Sequence, residues 1–318
     1  MTADLTDLTD DAGAVTEAGY AGAVARVGGP GRATVVAFAN QKGGVGKTTT
    51  TVSLGAALAQ GGARVLLIDL DPQGNASTGL DVRIGSDDAS TYDVIVEGLA
   101  IDQAVRSTAI AGLTVLPSSL ELAGAEVELV QAMARERALA RAVDAARDQH
   151  DLILIDCPPS LGLLTINAFV AADQLLVPIQ CEYYALEGLS QLLRTVGLVE
   201  QNLNSGLTIG NVVLTMFDAR TRLAQQVVDE VRSFFGERAF DTIIPRTVRL
   251  SEAPSFAQPI TVFDPESKGA GAYMALAAEF AQRLGVTAFD AERAQQVATA
   301  TKAAEIAALQ AEEQRGHP

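Results

Sequence analysis

Apolar residues in this chain are grouped in short unbroken runs, without strict alternation with polar residues. The segment "ATVVAFAN" (33–40) is one such run, and "DLILIDCPP" (151–159) is another. Runs of this length that are rich in Val, Ile and Leu are typical of strands buried on both faces. The same pattern predicts further strands at 64–71, 113–119, 173–180, 207–218 and 241–245.

Segments of helical character separate these runs. A helix over 48–62 follows a Gly-rich loop and ends at two glycines, and a long Ala/Glu/Arg-rich stretch predicts one helix over about 120–148. Further helices are predicted at 186–203, at 222–235 and at about 269–284. Apolar strands that alternate with helices predict an α/β fold, with one mostly parallel, twisted sheet and helices on both faces.

The predicted elements define one domain with a polar extension at each end. No linker interrupts the pattern between the first strand and the last helix, so we expect a single domain over 33–286. Residues 1–32 are polar and Gly-rich, which predicts a disordered tail. Residues 287–318 are rich in Ala, Glu and Gln, and we expect a tail that forms a frayed helix.

Charge and cysteine content narrow the class of protein. The formal net charge of −16 argues against a generally basic nucleic-acid binder, although a local basic face remains compatible with it. Two cysteines cannot form a disulfide framework, so we expect a reducing cytoplasmic compartment. No apolar run approaches the roughly 18 residues that a membrane span needs, and the acidic start of the chain does not resemble a signal peptide.

A Gly-rich segment between the first strand and the first helix predicts a nucleotide site. "NQKGGVGKTTTT" (40–51) contains the Gly-Lys-Thr of a phosphate loop, but Gln41 stands where that pattern has its first glycine. Glycine amides and a helix N-terminus attract phosphate groups, and the lysine and threonine of the motif contact the terminal phosphates and Mg²⁺. The predicted nucleotide ligands are Gly43, Gly44, Val45, Gly46, Lys47, Thr48 and Thr49.

Three aspartates follow apolar strands and extend this site. Asp156 ends "LILID", where the Walker B aspartate of a phosphate-loop ATPase lies close to Mg²⁺. Asp69 and Asp71 end "VLLIDLD", and the carboxyl ends of parallel strands share one edge of the sheet. We therefore predict that Thr48 and Asp156 lie at the Mg²⁺ site, and that one of Asp69 and Asp71 contacts a metal-bound water while the other orients the attacking water.

Four motifs in order resemble one family. "KGGVGKTTT" (42–50) resembles the deviant Walker A motif, and "LIDLDPQGNAS" (67–77) the motif that follows it. "ILIDCPPS" (153–160) resembles the Walker B motif of this family, and "TIIPRTVRLSEAPSFAQPI" (242–260) its C-terminal signature. From about 34 to 285 the chain resembles the ParA/Soj partition ATPases, phosphate-loop NTPases of the deviant Walker A group that also contains MinD and the nitrogenase iron protein.

The resemblance implies roles for particular residues. Lys42 would be the signature lysine that reaches the nucleotide of a partner subunit, so that ATP binding and dimerisation are coupled. Asp71 would be the hydrolytic residue beside Lys42 and Lys47, with ATP or ADP and Mg²⁺ as cofactors. Asp69 would complete the Mg²⁺ site with Thr48 and Asp156, close to the ion through a bound water. Pro245 and Thr247 would contact adenine, although the family often carries Asn at the position of Thr247.

The family also implies DNA and protein partners. Its ATP-bound homodimer binds double-stranded DNA non-specifically, and a ParB-like centromere-binding protein stimulates hydrolysis during chromosome partitioning. Segment 201–270 holds seven basic residues against eight acidic ones, so the negative excess lies mostly elsewhere. We expect a nucleoid-associated protein without membrane binding, and the predicted DNA contacts are Arg220, Arg222, Arg246 and Arg249.

Three alternatives stay open at this point. A MinD-like membrane-cycling ATPase would need an amphipathic C-terminal helix, which 287–318 does not provide. An iron–sulfur redox protein would use Cys157 and Cys181, which we interpret as buried structural residues. A positioning ATPase for another cargo would share every motif, and the Tyr183–Tyr184 pair does not separate a core role from an interface role.

Overall fold

The computed structural model describes residues 32–182 and 189–315, with 305–315 described by their backbone alone. The N-terminal tail and the Tyr183–Tyr184 pair lie outside this range. Eight strands form one sheet in the order β3-β4-β2-β5-β1-β6-β7-β8, and every pairing is parallel except that of β3 with β4. The strands are β1 (Thr34–Phe38), β2 (Val65–Asp69), β3 (Arg106–Ser107), β4 (Leu113–Leu116), β5 (Leu152–Asp156), β6 (Gln174–Gln180), β7 (Thr208–Phe217) and β8 (Ala239–Pro245).

Helices cover both faces of the sheet, as the continuous apolar strands require. They are α1 (Lys47–Gln60), α2 (Asn75–Thr78), α3 (Ile101–Ala104), α4 (Leu122–Glu128), α5 (Ala138–Ala146), α6 (Leu163–Ala171), α7 (Leu189–Asn202), α8 (Arg222–Phe235), α9 (Val248–Glu252), α10 (Ile260–Phe263), α11 (Lys268–Leu284) and α12 (Ala291–Arg315). A π-helix at Asp93–Glu97 and 3₁₀ turns such as Leu129–Gln131, Arg135–Arg137 and Ala253–Phe256 complete the described elements. The predicted α/β fold, with a mostly parallel sheet, is confirmed.

Two hydrophobic clusters fill the space between the sheet and its helices. One contains residues of α5 to α8, and the other contains residues of α1 and α11. Helix α1 lies directly on the sheet because Gly55 has no side chain: a Cβ there would lie 3.3 Å from Leu154. Tyr273 of α11 is fully buried, and its hydroxyl lies 3.1 Å from that of Thr50. These contacts fix α1, and with it the loop that precedes α1.

The prediction of one helix over 120–148 is wrong. The chain leaves helical geometry at Ala132, and Ala134 has a positive φ of 52° before the chain becomes helical again. Asn167 of α6 occupies the backbone groups of this break, because its side-chain amide donates to Arg135 O (2.9 Å) and accepts from Leu139 N (3.2 Å). A side chain from another element therefore replaces the hydrogen bonds that a continuous helix would make.

Helix α12 packs against the domain. Phe289 and Asp290, just before it, lie against Gly61 at the end of α1, with a hydrogen bond of 2.9 Å from Asp290 N to Gly61 O. Ala294 and Ala298 are buried, and α12 also contacts α10 and α11. Over the described ranges, no helix is both long and apolar enough to cross a lipid bilayer.

Candidate nucleotide site

The predicted phosphate loop connects β1 to α1 at the carboxyl edge of the sheet. Gly44 and Gly46 have positive φ values of 73° and 87°, a conformation that favours glycine. Gly43 and Gly44 are exposed, and a Cβ on either would meet no atom within 4 Å. The loop therefore presents open backbone at the N-terminus of a fourteen-residue helix, which is the arrangement that binds a phosphate group.

Two neighbouring strands, β6 and β7, hold this loop in place. The Asn40 side chain donates to Pro178 O on β6 (2.7 Å) and accepts from Lys42 N (3.0 Å). Thr215 of β7 donates from its hydroxyl to Val45 O (2.8 Å). Sequence reasoning missed the roles of Asn40 and Thr215 because Pro178 O and Val45 O are backbone groups distant from them in sequence.

Lys47 is buried at the base of the loop. Its ammonium group donates to Lys42 O at 3.4 Å. Burial lowers the pKa of Lys47, while Asp156, Cys157 and Asp71 oppose that effect. These electrostatic partners show that Lys47 shares one local environment with two of the predicted aspartates.

Asp156 accepts hydrogen bonds from two residues of α1. The Thr48 hydroxyl donates to Oδ2 at 2.7 Å and the Thr51 hydroxyl to Oδ1 at 3.0 Å. Asp156 is fully buried, and burial together with the charge of Asp69 raises its pKa to about 7. Thr51 escaped the sequence analysis, although it lies three residues after Thr48 and therefore on the same face of the helix.

Asp69 lies beside Asp156, since β2 and β5 pair these two positions. The Ser77 hydroxyl and Ser77 N donate to its Oδ2 at 2.6 Å and 2.8 Å, and Asp71 N donates to Oδ1 at 3.3 Å. Burial raises the pKa of Asp69 to about 6 despite these hydrogen bonds. Ser77 is a second supporting residue that the sequence analysis did not identify.

Asp71 begins the turn that follows β2. Its Oδ1 accepts from Gln73 N at 3.0 Å, and its carbonyl accepts from Gly74 N at 2.9 Å. Strand β2 ends at Asp69, so Asp71 lies in the loop and not in the strand as predicted. This position leaves Asp71 buried beside the phosphate loop, as its effect on the pKa of Lys47 requires.

The donor set fits a hard divalent cation. Burial raises the pKa of both carboxylates, and the charge of Asp69 adds to the effect on Asp156, so a cation beside them would favour their charged forms. The Thr48 hydroxyl adds a neutral oxygen. Residues 32–182 and 189–315 contain no cluster of three or more His, Cys, Asp or Glu that could enclose a metal, and Mg²⁺ commonly takes only one or two carboxylates besides phosphate and water.

The two residues predicted to contact adenine lie at the start of the C-terminal signature. Pro245 ends β8, and Thr247 caps α9 because its hydroxyl accepts from Leu250 N at 3.3 Å. A groove of about 260 Å³ begins at Thr48 and Thr49 and continues between α1 and the 250–260 segment. Neither Pro245 nor Thr247 lines this groove.

Lys42 is half-buried in the same loop. Its backbone amide binds Asn40, and its carbonyl accepts from Lys47. Within the ranges that the structure describes, the Lys42 ammonium group forms no ion pair. A second lysine is therefore available at the edge of the site.

The four predicted DNA contacts differ in their surroundings. Arg220 is ion-paired with Asp218 (2.6 Å), Arg246 with Glu182, and Arg249 with both Glu252 and Asp264 (3.0 Å each). Arg222 is exposed, and it forms no ion pair with any described residue. Arg220 and Arg246 lie in loops, whereas Arg222 begins α8 and Arg249 lies in α9.

Both cysteines are free and buried, as interpreted from the sequence. Burial raises the pKa of the Cys157 thiol far above its usual value and that of Cys181 to about 12. Neither thiol is exposed at a surface where a second subunit could share a cluster. The redox alternative therefore loses its candidate ligands.

A protein-family model and two curated relatives match most of the domain. Residues 33–209 match a protein-family model described as an AAA domain. The sporulation initiation inhibitor protein Soj of Bacillus subtilis is 53% identical over 247 residues, which cover 78% of this chain and 98% of that protein. The chromosome partitioning protein ParA of Myxococcus xanthus is 49% identical over 249 residues, covering 78% of this chain and 88% of that protein.

Solved structures share the fold and bind nucleotides. A Mycobacterium smegmatis structure described as cobyrinic acid a,c-diamide synthase with bound ADP and magnesium is 38% identical, with a TM-score of 0.70 over 80% of this chain and 96% of that one. The septum site-determining protein MinD of Pyrococcus horikoshii, complexed with Mg-ADP, is 25% identical, with a TM-score of 0.65 over 80% of this chain and 98% of that one.

Proposed function

Because this chain belongs to the ParA/Soj family of chromosome-partitioning ATPases, we propose that it is a Mg²⁺-dependent ATPase whose ATP-bound dimer binds DNA non-specifically. A ParB-like partner at a centromere-like site stimulates a slow intrinsic hydrolysis and releases the protein from the nucleoid. The observation that carries this proposal is one phosphate loop with two lysines, of which only Lys47 is buried beside the carboxylates.

The loop residues bind the nucleotide through their backbone and through Lys47. Amides of Gly43 to Thr49 surround the phosphates, and the Lys47 ammonium exchanges its bond to Lys42 O for the β- and γ-phosphates. Thr49 lies at the opening of the groove beside α1 and contacts the α-phosphate. Pro245 and Thr247 contact adenine in this proposal, although the Thr247 hydroxyl is already engaged in capping α9.

Thr48, Asp69 and Asp156 hold the cation. When bound, Mg²⁺ neutralises phosphate charge and so lowers the barrier to phosphoryl transfer. Thr51 and Ser77 orient the two carboxylates, one from each side. Asp71 is the third aspartate at this edge of the sheet, and it orients the attacking water. The hydroxyls of serine and threonine side chains bind the carboxylates of Asp69 and Asp156, whereas the carboxylate of Asp71 accepts from a backbone amide.

Lys42 couples nucleotide binding to dimerisation. A lysine that neutralises phosphate charge across an interface stabilises the dimer only when ATP is present. The half-buried position of Lys42 at the loop edge supports this role. The dimer then doubles the arginines on one face, which favours binding to DNA phosphates.

The deciding experiment measures DNA binding with ATP, ADP or no nucleotide at a stated salt concentration. We expect retention on DNA with ATP and Mg²⁺ only, and an Asp71→Ala variant that stays bound because it cannot hydrolyse ATP. Equal DNA binding in all three nucleotide states would contradict the proposed switch. ATP-dependent binding to lipid vesicles without DNA binding would instead favour a MinD-like function. A partition ATPase that moves a cargo other than the chromosome would give the same DNA-binding result.

A further inference from the structure

A groove of about 320 Å³ lies along α5, and none of the residues that line it belongs to the candidate nucleotide site. One wall is formed by the end of the π-helix and the segment 98–102, and the other by one face of α5. We call it the α5 groove, and its apolar lining includes Val94, Leu99, Ile101, Ala142 and Ala145. Ligand pockets begin at about 300 Å³, so the groove can hold an aromatic side chain with an apolar neighbour.

The α5 groove leaves apolar groups in contact with solvent. Ala100 and Ala145 are exposed, and Leu99 and Ala142 are half-buried. A Cβ at Gly98 would meet no atom within 4 Å, so the backbone of this wall is also open. An apolar segment placed here would remove this surface from water, which favours binding. The neighbouring π-helix is a geometry that is frequent at functional sites.

The described chain begins at the edge of this groove. Arg32 lies 3.6 Å from the Asp144 carboxylate and 3.5 Å from that of Asp148. These two aspartates follow Arg141 and Ala145, which line the groove, by three positions, so each is a neighbour of a lining residue on the helix surface. The 31 residues that precede Arg32 therefore join the domain beside the α5 groove.

One segment of these 31 residues suits the groove. Tyr20, Val24 and Val27 recur with the spacing i, i+4 and i+7, which places them on one face of a helix. Gly-Gly-Pro-Gly at 28–31 follows them, and glycine is typical of the position after the end of a helix. Four extended residues span about 13 Å, at about 3.3 Å each. This length is enough to connect the segment to Arg32 at the groove edge.

We propose that the α5 groove is the docking site of segment 20–27 of the same chain. The side chains of Tyr20 and Val24 cover its apolar lining, and Val27 lies at the end of the groove formed by Gln149, nearest to Arg32. The segment then runs antiparallel to α5. Docking of this kind is independent of the proposed ATPase cycle, because it involves none of the nucleotide-site residues.

Charge supports this direction of docking. Arg141 lines the groove and is exposed, and its guanidinium forms no ion pair with any residue in 32–182 or 189–315. Arg141 lies about 12 Å from Gln149 along a helix axis, and Glu17 lies about 15 Å from Val27 in an antiparallel helix, at 1.5 Å per residue. The Glu17 carboxylate therefore comes within reach of Arg141.

The opposite wall completes the match of charges. Asp102 lines it, is exposed, and has no ion-pair partner among the residues that the structure describes. Arg26 is the basic residue of the docked segment. A groove with one cation and one carboxylate thus receives a segment that brings one charge of each sign.

Hydrogen exchange of the full-length chain without nucleotide tests the docking. Val24→Asp places a charge among the apolar contacts, and we expect the amides of 98–105 to exchange roughly tenfold faster, as for the loss of one buried valine side chain. Val15→Asp is the matched control, because it makes the same change outside the docked segment and should leave these amides unchanged. Amides of α11, which packs on the other face of the sheet, report any loosening of the whole domain.

A charge exchange tests the direction of docking. Arg141→Glu should speed exchange of the same amides about two- to fivefold, the effect of losing an exposed ion pair. Addition of Glu17→Arg should restore the wild-type rate, because the pair is then reversed. A rate that the second change does not restore would overturn the antiparallel placement, since loss of an arginine with a purely structural role has no such remedy.

The remaining outcomes decide which chain segment occupies the groove. Loss of protection in Val24→Asp alone, at a rate independent of protein concentration, supports docking of 20–27 within one chain. Equal exchange in the wild type and both valine variants would overturn the proposal. Protection that falls on dilution of the wild type would assign the groove to a second copy, and loss of protection in Val15→Asp alone would assign it to an earlier segment; either result overturns the docking of 20–27.

Discussion

Asp69 and Asp156 occupy paired positions on neighbouring strands, and both are fully buried. Each has a separate set of hydroxyl donors, Ser77 for Asp69 and Thr48 with Thr51 for Asp156. Two carboxylates in this arrangement repel each other, which contributes to the raised pKa of Asp156. The burial of both carboxylates is therefore energetically unfavourable without a cation, and a bound divalent cation would offset that cost.

Ser77→Ala should destabilise the fold. The change removes a 2.6 Å hydrogen bond to the buried Asp69 carboxylate and leaves Ser118 N without its acceptor. We expect a loss of about 1–3 kcal/mol in the free energy of unfolding, measured in urea without nucleotide. Ser86→Ala is the control, because Ser86 is exposed and its change should stay within about 0.5 kcal/mol. Equal stabilities of the two variants would contradict the supporting role of Ser77.

Replacing each of the two phosphate-loop lysines by alanine should produce a different defect. Lys47→Ala removes a cation from the phosphates, and we expect about 10–100-fold weaker ATP binding, the equivalent of about 1.5–3 kcal/mol. Lys42→Ala should retain ATP binding and lose ATP-dependent dimers. Titration with a fluorescent ATP analogue and sizing chromatography distinguish the two defects. A Lys42→Ala protein that still dimerises with ATP would refute its role across the interface.

Asp218→Asn should strengthen DNA binding, although it changes no basic residue. Asp218 binds the Arg220 guanidinium at 2.9 Å and 2.6 Å, and an amide would release that charge while it keeps an acceptor for Arg220 N. Conversely, Arg222→Ala should weaken binding and reduce the slope of log K against log salt by about 1 for each DNA phosphate that the arginine no longer neutralises. Fluorescence anisotropy over a salt series measures both effects, with nucleotide affinity as the unchanged control. Binding that is insensitive to both changes would exclude this surface.

Gly61→Ala should destabilise the contact between α1 and the C-terminal helix. A Cβ at Gly61 would lie 2.3 Å from the Phe289 ring, so that the ring must move, at a cost of about 1–3 kcal/mol. Gly197→Ala makes the same chemical change within α7, where a Cβ meets nothing within 4 Å. It should stabilise the protein by about 0.5–1 kcal/mol. Thermal unfolding compares the two, and a Gly61→Ala protein as stable as the wild type would show that α12 contributes little to stability.

The sequence predicted the sheet well because its strands are buried on both faces and leave an unbroken apolar signal. It failed over 120–148 because Ala, Glu and Arg all favour helix and no Gly or Pro interrupts them after Gly124. The break depends on Asn167, more than thirty residues further along the chain. The two-residue strand β3 was also missed, since Arg106 and Ser107 carry no periodic pattern.

In the candidate site, too, some features could be predicted from the sequence and others could not. The positions of Lys47, Thr48, Asp69 and Asp156 follow from a motif and from the rule that parallel strands end at one edge. The hydroxyl of Ser77 and the ion pair between Arg246 and Glu182 join residues distant in sequence, so no local pattern reports them. The candidate functional residues could be predicted, whereas the distant residues that hydrogen-bond to them or form ion pairs with them could not.

The burial of both cysteines has a practical consequence for spectroscopy. Neither Cys157 nor Cys181 offers an accessible thiolate, because both are buried and their pKa values are raised. A thiol introduced at an exposed position such as Leu198 should therefore react with a maleimide dye far faster than the native thiols. Single-site labelling for distance measurements between two copies is then feasible in the unaltered cysteine background.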